Sequence, residues 1–527
     1  MKKQSVLRGS VWLIGSALAA KILGAVFRIP LTAMLGGSGM GYFSCAYGLF
    51  LPVFALSVTG INTAVSAVTA RSLAQHDTAA AARTKKLSLR MFGIGGAVAA
   101  AGLFLLAGPL CGGLLHNPQA APAVRMLAPA VWFCCMNAVL RGEYEGHQNM
   151  TPTAVSQVAE GIGRAVFGLL LCGAVMRFPD RFPFLPAGED PTVIAAAAAI
   201  LGVTLSTATG TLTLLLFHAP QNHDPLPPVF QPQSDRQLRL SVLRVLLPVA
   251  AASLVTNLTT LIDLSAGLRL LAAGESANAQ ADANFRFGAY SGLAVTVFNL
   301  VPAVTNMLGK GVFPAFAASY AQHRTDETAH HAQTVMLRTA FLAIPAGCGI
   351  TVLAEPILTF LFAGKPHEIA AAAPPLSILG SAVIFAAMSF PVFSMLQASG
   401  HAGDTVTVML TGAAVKLGCN LLLIPRLSLN GLALSTLLCY MAILLLAYRR
   451  FRRKTGTALH LLRPLTGIAF SAVLCSVTAR AVYDGMRGSV AQRPALLIGI
   501  AAGGMVYLIW SGLLRTLPPR DAAAECT

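Results

Sequence analysis

Lys21-Ile22-Leu23-Gly24-Ala25-Val26-Phe27-Arg28-Ile29-Pro30 runs on through Leu35-Gly36-Gly37-Ser38-Gly39-Met40-Gly41 into Tyr42, inside an apolar stretch that begins near Ser10. Two cations therefore lie within a segment otherwise suited to lipid. Their spacing is close to two helical turns, so Lys21 and Arg28 share one helical face. A charge near the centre of a membrane helix costs roughly 2.5–3.5 kcal/mol even on a lenient insertion scale, so such residues face a bundle interior or a water-filled cavity. The chain reads as a bundle organised around a positively charged cavity.

Composition sets the class. Charged residues are 11% of the 527, where a soluble domain carries about a quarter. Hydrophobic residues are 55% and the mean hydropathy is +0.68. This is the profile of an all-α polytopic membrane protein. The formal net charge of +17 would point to nucleic acid in a soluble chain; here the cations are placed first against the bilayer. The run Arg449 to Lys454 reads as a topology anchor beside anionic lipid, so no nucleic-acid partner is expected. The ten cysteines are scattered through apolar segments with no C-x-x-C pair, which fits small apolar filler rather than a disulfide framework or a zinc site.

The N-terminus has the look of a secretory signal, with Lys2, Lys3 and Arg8 before Val11 to Ala20. The apolar run continues past Lys21, so it is read as an uncleaved first transmembrane helix. Further spans are expected near 42–69, 91–112, 121–140, 151–176 and 191–218, then a proline-rich linker from Ala219 to about Arg236. A second set is expected near 241–272, 286–309, 335–362, 370–398, 405–424 and 430–448, with a last pair near 464–482 and 494–514. The total is about fourteen. The expected organisation is an N-terminal six-helix lobe (1–218), a cytoplasmic linker (219–240), a C-terminal six-helix lobe (241–448), a basic loop (449–463), and two final helices with a short tail (464–527).

With the N-terminus in the cytoplasm, about 23 of the 37 cations fall in inner loops, Arg141 counted among them, and about 9 fall outside. Both termini are then cytoplasmic. The two sets resemble copies of one another. Gly146-His147 with Thr151 recurs as Gly400-His401 with Thr405, and Ala46-Tyr47 and Ala74-Gln75-His76 recur as Ala289-Tyr290 and Ala321-Gln322-His323. Pseudo-symmetric lobes related by an axis along the membrane normal are expected, with a substrate site between them.

The opening motif, Lys21-Ile22-Leu23-Gly24 with Phe27-Arg28-Ile29-Pro30-Leu31 and Gly39-Met40-Gly41-Tyr42, resembles the SpoVB-type polysaccharide exporters of the MOP flippase superfamily, which also holds MurJ and the MATE exporters. Pro152 to Gln157 with Glu160 and Arg164 fits the same branch. So do Leu261-Ile262-Asp263 with Arg269-Leu270, and Gly288-Ala289-Tyr290 with Asn299-Leu300-Pro302. The resemblance covers nearly the whole chain. It implies a flippase for a lipid-linked oligosaccharide such as lipid II or another cell-wall or spore-cortex precursor, with cell-wall synthesis enzymes as partners. No cofactor and no metal are expected.

The residue chemistry agrees with that class. An anionic pyrophosphate head cannot cross hydrocarbon unaided, and a cationic cavity offers it charge-assisted hydrogen bonds. Arg28, Lys21, Arg164 and Lys416 are the candidate cavity cations; Glu160 and Asp263 are candidates for charge balance or ion coupling. Glu160 and Arg164 share a helical face and can equally form a structural pair. The loop Gly36 to Gly41 is expected to be a flexible outer connection serving as a gate hinge. Two rival classes need residues of other kinds. A MATE-type multidrug or cation antiporter would want carboxylates in its cavity, and the first helix has none. An enzyme would need a catalytic constellation, and His323, Asp326, Glu327, His330 and His331 show no ligand spacing.

Overall fold

The structure is a computed structural model describing residues 6–514 apart from 76, 179–189, 218–233, 273–278, 458, 460, 488 and 490. The proline-rich linker expected at 219–236 lies outside the described residues up to 233. Among the described residues the chain is helical, and eleven helices are long and apolar enough to cross a membrane. This is the expected polytopic all-α architecture.

The chain falls into two compact units, residues 1–288 and 289–527. The first opens with α1 (Val6–Ala55), continues through a π-helical turn into α2 (Asn62–Ala74), and then forms α3 (Thr78–Pro109), α4 (Ala121–Gly146), α5 (Thr151–Arg177) and α6 (Pro191–Leu216). Next come α7 (Asp235–Leu271) and α8 (Ala279–Ala289). Ser234 starts α7 with a capping box: its hydroxyl accepts from Gln237 N–H while its own N–H donates to the Gln237 side chain. Leu238, Val242, Leu246 and Ala250 of α7 then bury against Ile61, Ala64, Val65 and Val68.

The stretch Gly36 to Gly41 is not the flexible loop expected from its composition. Helix continues through it with one break, at Gly36, whose φ of 65° lies where glycine alone is comfortable. Beyond the kink the glycines bring α1 against α8. A Cβ on Gly41 would lie 2.5 Å from the Asn284 backbone oxygen, and one on Gly288 would lie 1.8 Å from the Gly37 oxygen. Asn284 fixes the contact, donating to Ser38 O at 2.9 Å and accepting from Asn117 at 2.7 Å. Small residues here serve close backbone approach, as in other membrane helix pairs.

The second unit contains α9 (Val295–Ala321), α10 (Thr325–Val352), α11 (Ala354–Leu361), α12 (Pro366–Ala398), α13 (Ala402–Leu427) and α14 (Leu429–Thr455), then α15 (Leu462–Met486) and α16 (Gln492–Leu513). The span expected at 335–362 is broken at Leu353 into α10 and α11. Helix α12 packs against α9, α10 and α14. The final pair closes on itself through Gly499 and Gly503, which face the Ala479 and Cys475 carbonyls of α15. It docks on α10, where Tyr507 donates to Phe341 O and Arg480 to Val352 O. The helix ends match the sequence repeat in one respect: Ala74-Gln75 and Ala321-Gln322 both end a helix, with the glutamine as its cap.

Candidate functional site

In the first unit, α1, α5 and α6 are drawn together by glycines. Gly168 of α5 leaves room for the Phe27 ring, and a Cβ on Gly202 of α6 would lie 2.4 Å from Gly168. Arg28 is the neighbour of Phe27 and Arg164 precedes Gly168 by one turn, so both arginines flank the same α1–α5 contact. Tyr47 links them. Its ring stacks on Phe43 at 5.7 Å between centroids, its hydroxyl accepts from Arg164 Nη1 at 3.5 Å, and it lies within electrostatic reach of Arg28. Arg28 itself is half-buried.

Glu160 is the centre of the charged cluster. Its Oε1 takes Arg164 Nη2 at 3.0 Å and its Oε2 takes Arg141 Nη2 at 3.0 Å. Arg141 was expected in an inner loop; it lies within α4 and is 3% exposed. A further hydrogen bond holds it, from Nε to Ser156 Oγ at 3.0 Å, and Ser156 in turn donates to Thr153 O. Gly210 of α6 completes the wall: a Cβ there would lie 3.5 Å from Glu160 Oε2 and 3.6 Å from Arg141 Nη2. Arg164 is held less completely. Its side chain is 20% exposed, and its Nε has no hydrogen-bond partner among the described residues. Two guanidinium groups thus share one carboxylate.

The cluster lies inside the bilayer region. Arg164 is about 20 Å along α5 from Thr151 at the α-helical rise, near the middle of that span. Towards the start of the hairpin a second set of charges is paired: Lys85 meets Glu143 at 2.8 Å, and Asn62 donates to Glu145 at 3.2 Å. Here Gly142 and Gly146 admit α2, since a Cβ on Gly142 would lie 2.7 Å from Asn62 O. Arg141 was hidden by its nearness to the α4–α5 turn. The signal that could have exposed it is the following small-residue pair, which marks a packed helix face rather than a loop.

The other sequence candidates fall elsewhere. Lys21 is on α1, but its side chain lies outside the described residues. Asp263 is half-buried on α7, beside Leu264, which packs over Gly48 of α1. Lys416, in the second unit, is 2% exposed between α13 and α14 and donates from Nζ to Thr436 Oγ1 at 2.5 Å. One turn on, the Ser435 hydroxyl donates to Asn420 Oδ1. The histidine-rich segment is the exposed start of α10, where Arg324 pairs with Glu327 at 3.1 Å. Among the described residues no group of His, Cys, Asp or Glu is placed to hold a metal ion.

A multi-pass helical bundle with guanidinium groups meeting a carboxylate between its helices is the architecture of a membrane transporter. Solved structures of that class share the fold. Lipid II flippase MurJ in its inward closed conformation superposes with a TM-score of 0.70 at 13% identity, over 97% of this chain and 100% of that one. An inward-facing multidrug resistance MATE family transporter of the MOP superfamily gives 0.64 at 15% identity, over 83% and 96%. The chain belongs to the lipid II flippase MurJ family, whose sequence model matches residues 115–488. Among its relatives are stage V sporulation protein B of Bacillus subtilis (strain 168), 24% identical over 97% of this chain and 95% of that one. Lipid II flippase MurJ of the same organism is 24% identical over 95% of this chain and 94% of that one.

Proposed function

We propose that this chain carries an anionic lipid-linked oligosaccharide, lipid II or a related polyprenyl-pyrophosphate sugar, across the bacterial cytoplasmic membrane by alternating access. The observation that carries the reading is the meeting of two guanidinium groups on one carboxylate inside the first unit. The buried Arg141 and the half-buried Arg164 share Glu160, and Arg28 lies within electrostatic reach of Tyr47, which Arg164 also meets. A cation inside a membrane unit is costly unless an anion meets it. Guanidinium forks suit phosphate oxygens in particular.

Arg28 and Arg164 are the groups we assign to the anionic head, with Lys21 on the same face of α1 as Arg28. Glu160 balances part of the charge. With the cell interior negative, each negative charge moved outward gains about 2.3 kcal/mol per 100 mV, so such an exporter can run without ATP. The alternative, a MATE-type cation antiporter, has the shared fold in its favour. The arginines that meet Tyr47, in place of carboxylates, argue against it.

The test is transport of a lipid-linked sugar by Arg28→Ala beside Arg28→Lys at matched protein levels. The reading expects Ala to abolish transport and Lys to retain part of it, because charge survives and the fork does not. Full transport by both variants would remove Arg28 from the site.

A further inference from the structure

The two arginines on Glu160 are not equivalent. Arg141 is enclosed, bound to Glu160 Oε2 and Ser156, and walled by Gly210. Arg164 reaches the opposite oxygen from the open side, is partly exposed, and keeps an Nε with no partner among the described residues. If Arg164 were the sole partner of Glu160, turning it towards another anion would strand a buried carboxylate, which is strongly unfavourable. With Arg141 on the second oxygen, Glu160 stays compensated whichever way Arg164 points.

We infer that Glu160 is a resident stand-in for the cargo's anion at Arg164, exchanged for it at each visit, and that Arg141 is the positioning residue that makes the exchange possible. This rests on the function proposed above and adds its local mechanism. Arg164 swaps a carboxylate for a phosphate oxygen as the head arrives and returns to the carboxylate as it leaves. Arg141 never touches the cargo. The arrangement lets a buried cation bind an anion and also release it, because the site holds its own competitor.

The experiment is equilibrium binding of radiolabelled geranylgeranyl pyrophosphate, a short isoprenoid pyrophosphate, to the full chain in nanodiscs, with empty nanodiscs as baseline. Glu160→Gln removes the competing charge and is expected to tighten binding about tenfold, the scale of one charge-assisted hydrogen bond. Arg141→Gln leaves Glu160 dependent on Arg164 and is expected to weaken binding by about the same factor. The double variant Arg141→Gln/Glu160→Gln is expected to bind at least as tightly as the unaltered protein, since no carboxylate remains to hold Arg164 back.

That rescue separates positioning from contact or from a purely structural role. Unchanged or weaker binding by Glu160→Gln, or a double variant as weak as Arg141→Gln, would overturn the inference while leaving the proposed function standing. Binding by the unaltered protein no better than empty nanodiscs would overturn both. Should Arg141→Gln fail to accumulate, Ser156→Ala loosens Arg141 more gently. It is expected to weaken binding by about twofold to threefold and to be reversed by Glu160→Gln in the same way.

Discussion

Arg164 and Lys416 each stand about three to four turns beyond a matching threonine, Thr151 and Thr405, in helices that the sequence repeat pairs. Their surroundings differ. In the first unit Arg164 shares Glu160 with Arg141, so its environment is ionic. In the second, Lys416 is closed in and meets the Thr436 hydroxyl, with Asn420 and Ser435 one turn away. An ionic cluster with a half-open arginine can change partners. Lys416, buried and bonded to the Thr436 hydroxyl, ties α13 to α14. The two cations fall two residues apart in the register that Thr151 and Thr405 set, so they face different sides of their helices and can serve different ends.

The largest expected effect comes from removing the shared carboxylate. Glu160→Ala strands the buried Arg141 and removes the partner of the half-buried Arg164, and is expected to cost about 3–5 kcal/mol of stability, read by thermal unfolding in detergent. Lys416→Met removes the buried hydrogen bond to the Thr436 hydroxyl and is expected to cost about 1–2 kcal/mol, less than Glu160→Ala. Similar losses for both would erase the contrast. In a transport assay at matched protein levels, Arg164→Met is expected to lower the rate at least about tenfold, one charge-assisted contact being lost. Lys416→Met is expected to stay within about twofold of the unaltered protein. The reverse order would move the site to the second unit.

The smallest effects sharpen the comparison further. Gly210→Ala places a methyl group 3.1 Å from Asn137 Nδ2 and against the Arg141–Glu160 pair. It is expected to destabilise by about 1 kcal/mol. Gly418→Ala, on the helix that carries Lys416, meets nothing within 4 Å. It is expected to stabilise by about 0.5–1 kcal/mol through helix propensity alone. The two melting shifts should have opposite signs.

The fold was legible because hydropathy dictates it. Spans of apolar residues had to become helices, and those expected at 121–140, 151–176 and 405–424 sit within α4, α5 and α13. The Glu160–Arg164 pair was legible as well, since neighbours one turn apart on a helix declare themselves. Arg141 was not. It meets Glu160 across the hairpin, and linear spacing carries no trace of which face α4 turns to α5. Gly36 to Gly41 misled for a related reason. Glycine and serine serve both loops and close helix contacts, and only the partner helix, α8 with Asn284 and Gly288, decides between them. Lys416 looked like Arg28 in the sequence because the hydroxyls around it come from another helix.

The central claim is that the first unit offers Arg28 and Arg164 to the anionic head of a lipid-linked sugar. Native mass spectrometry of the protein, extracted gently from its own membrane, tests this most directly. The account predicts a co-purifying polyprenyl pyrophosphate bearing sugars, retained by the unaltered chain and lost from Arg28→Ala and Arg164→Met. Bulk phospholipid alone, together with saturable binding of an organic cation, would contradict it.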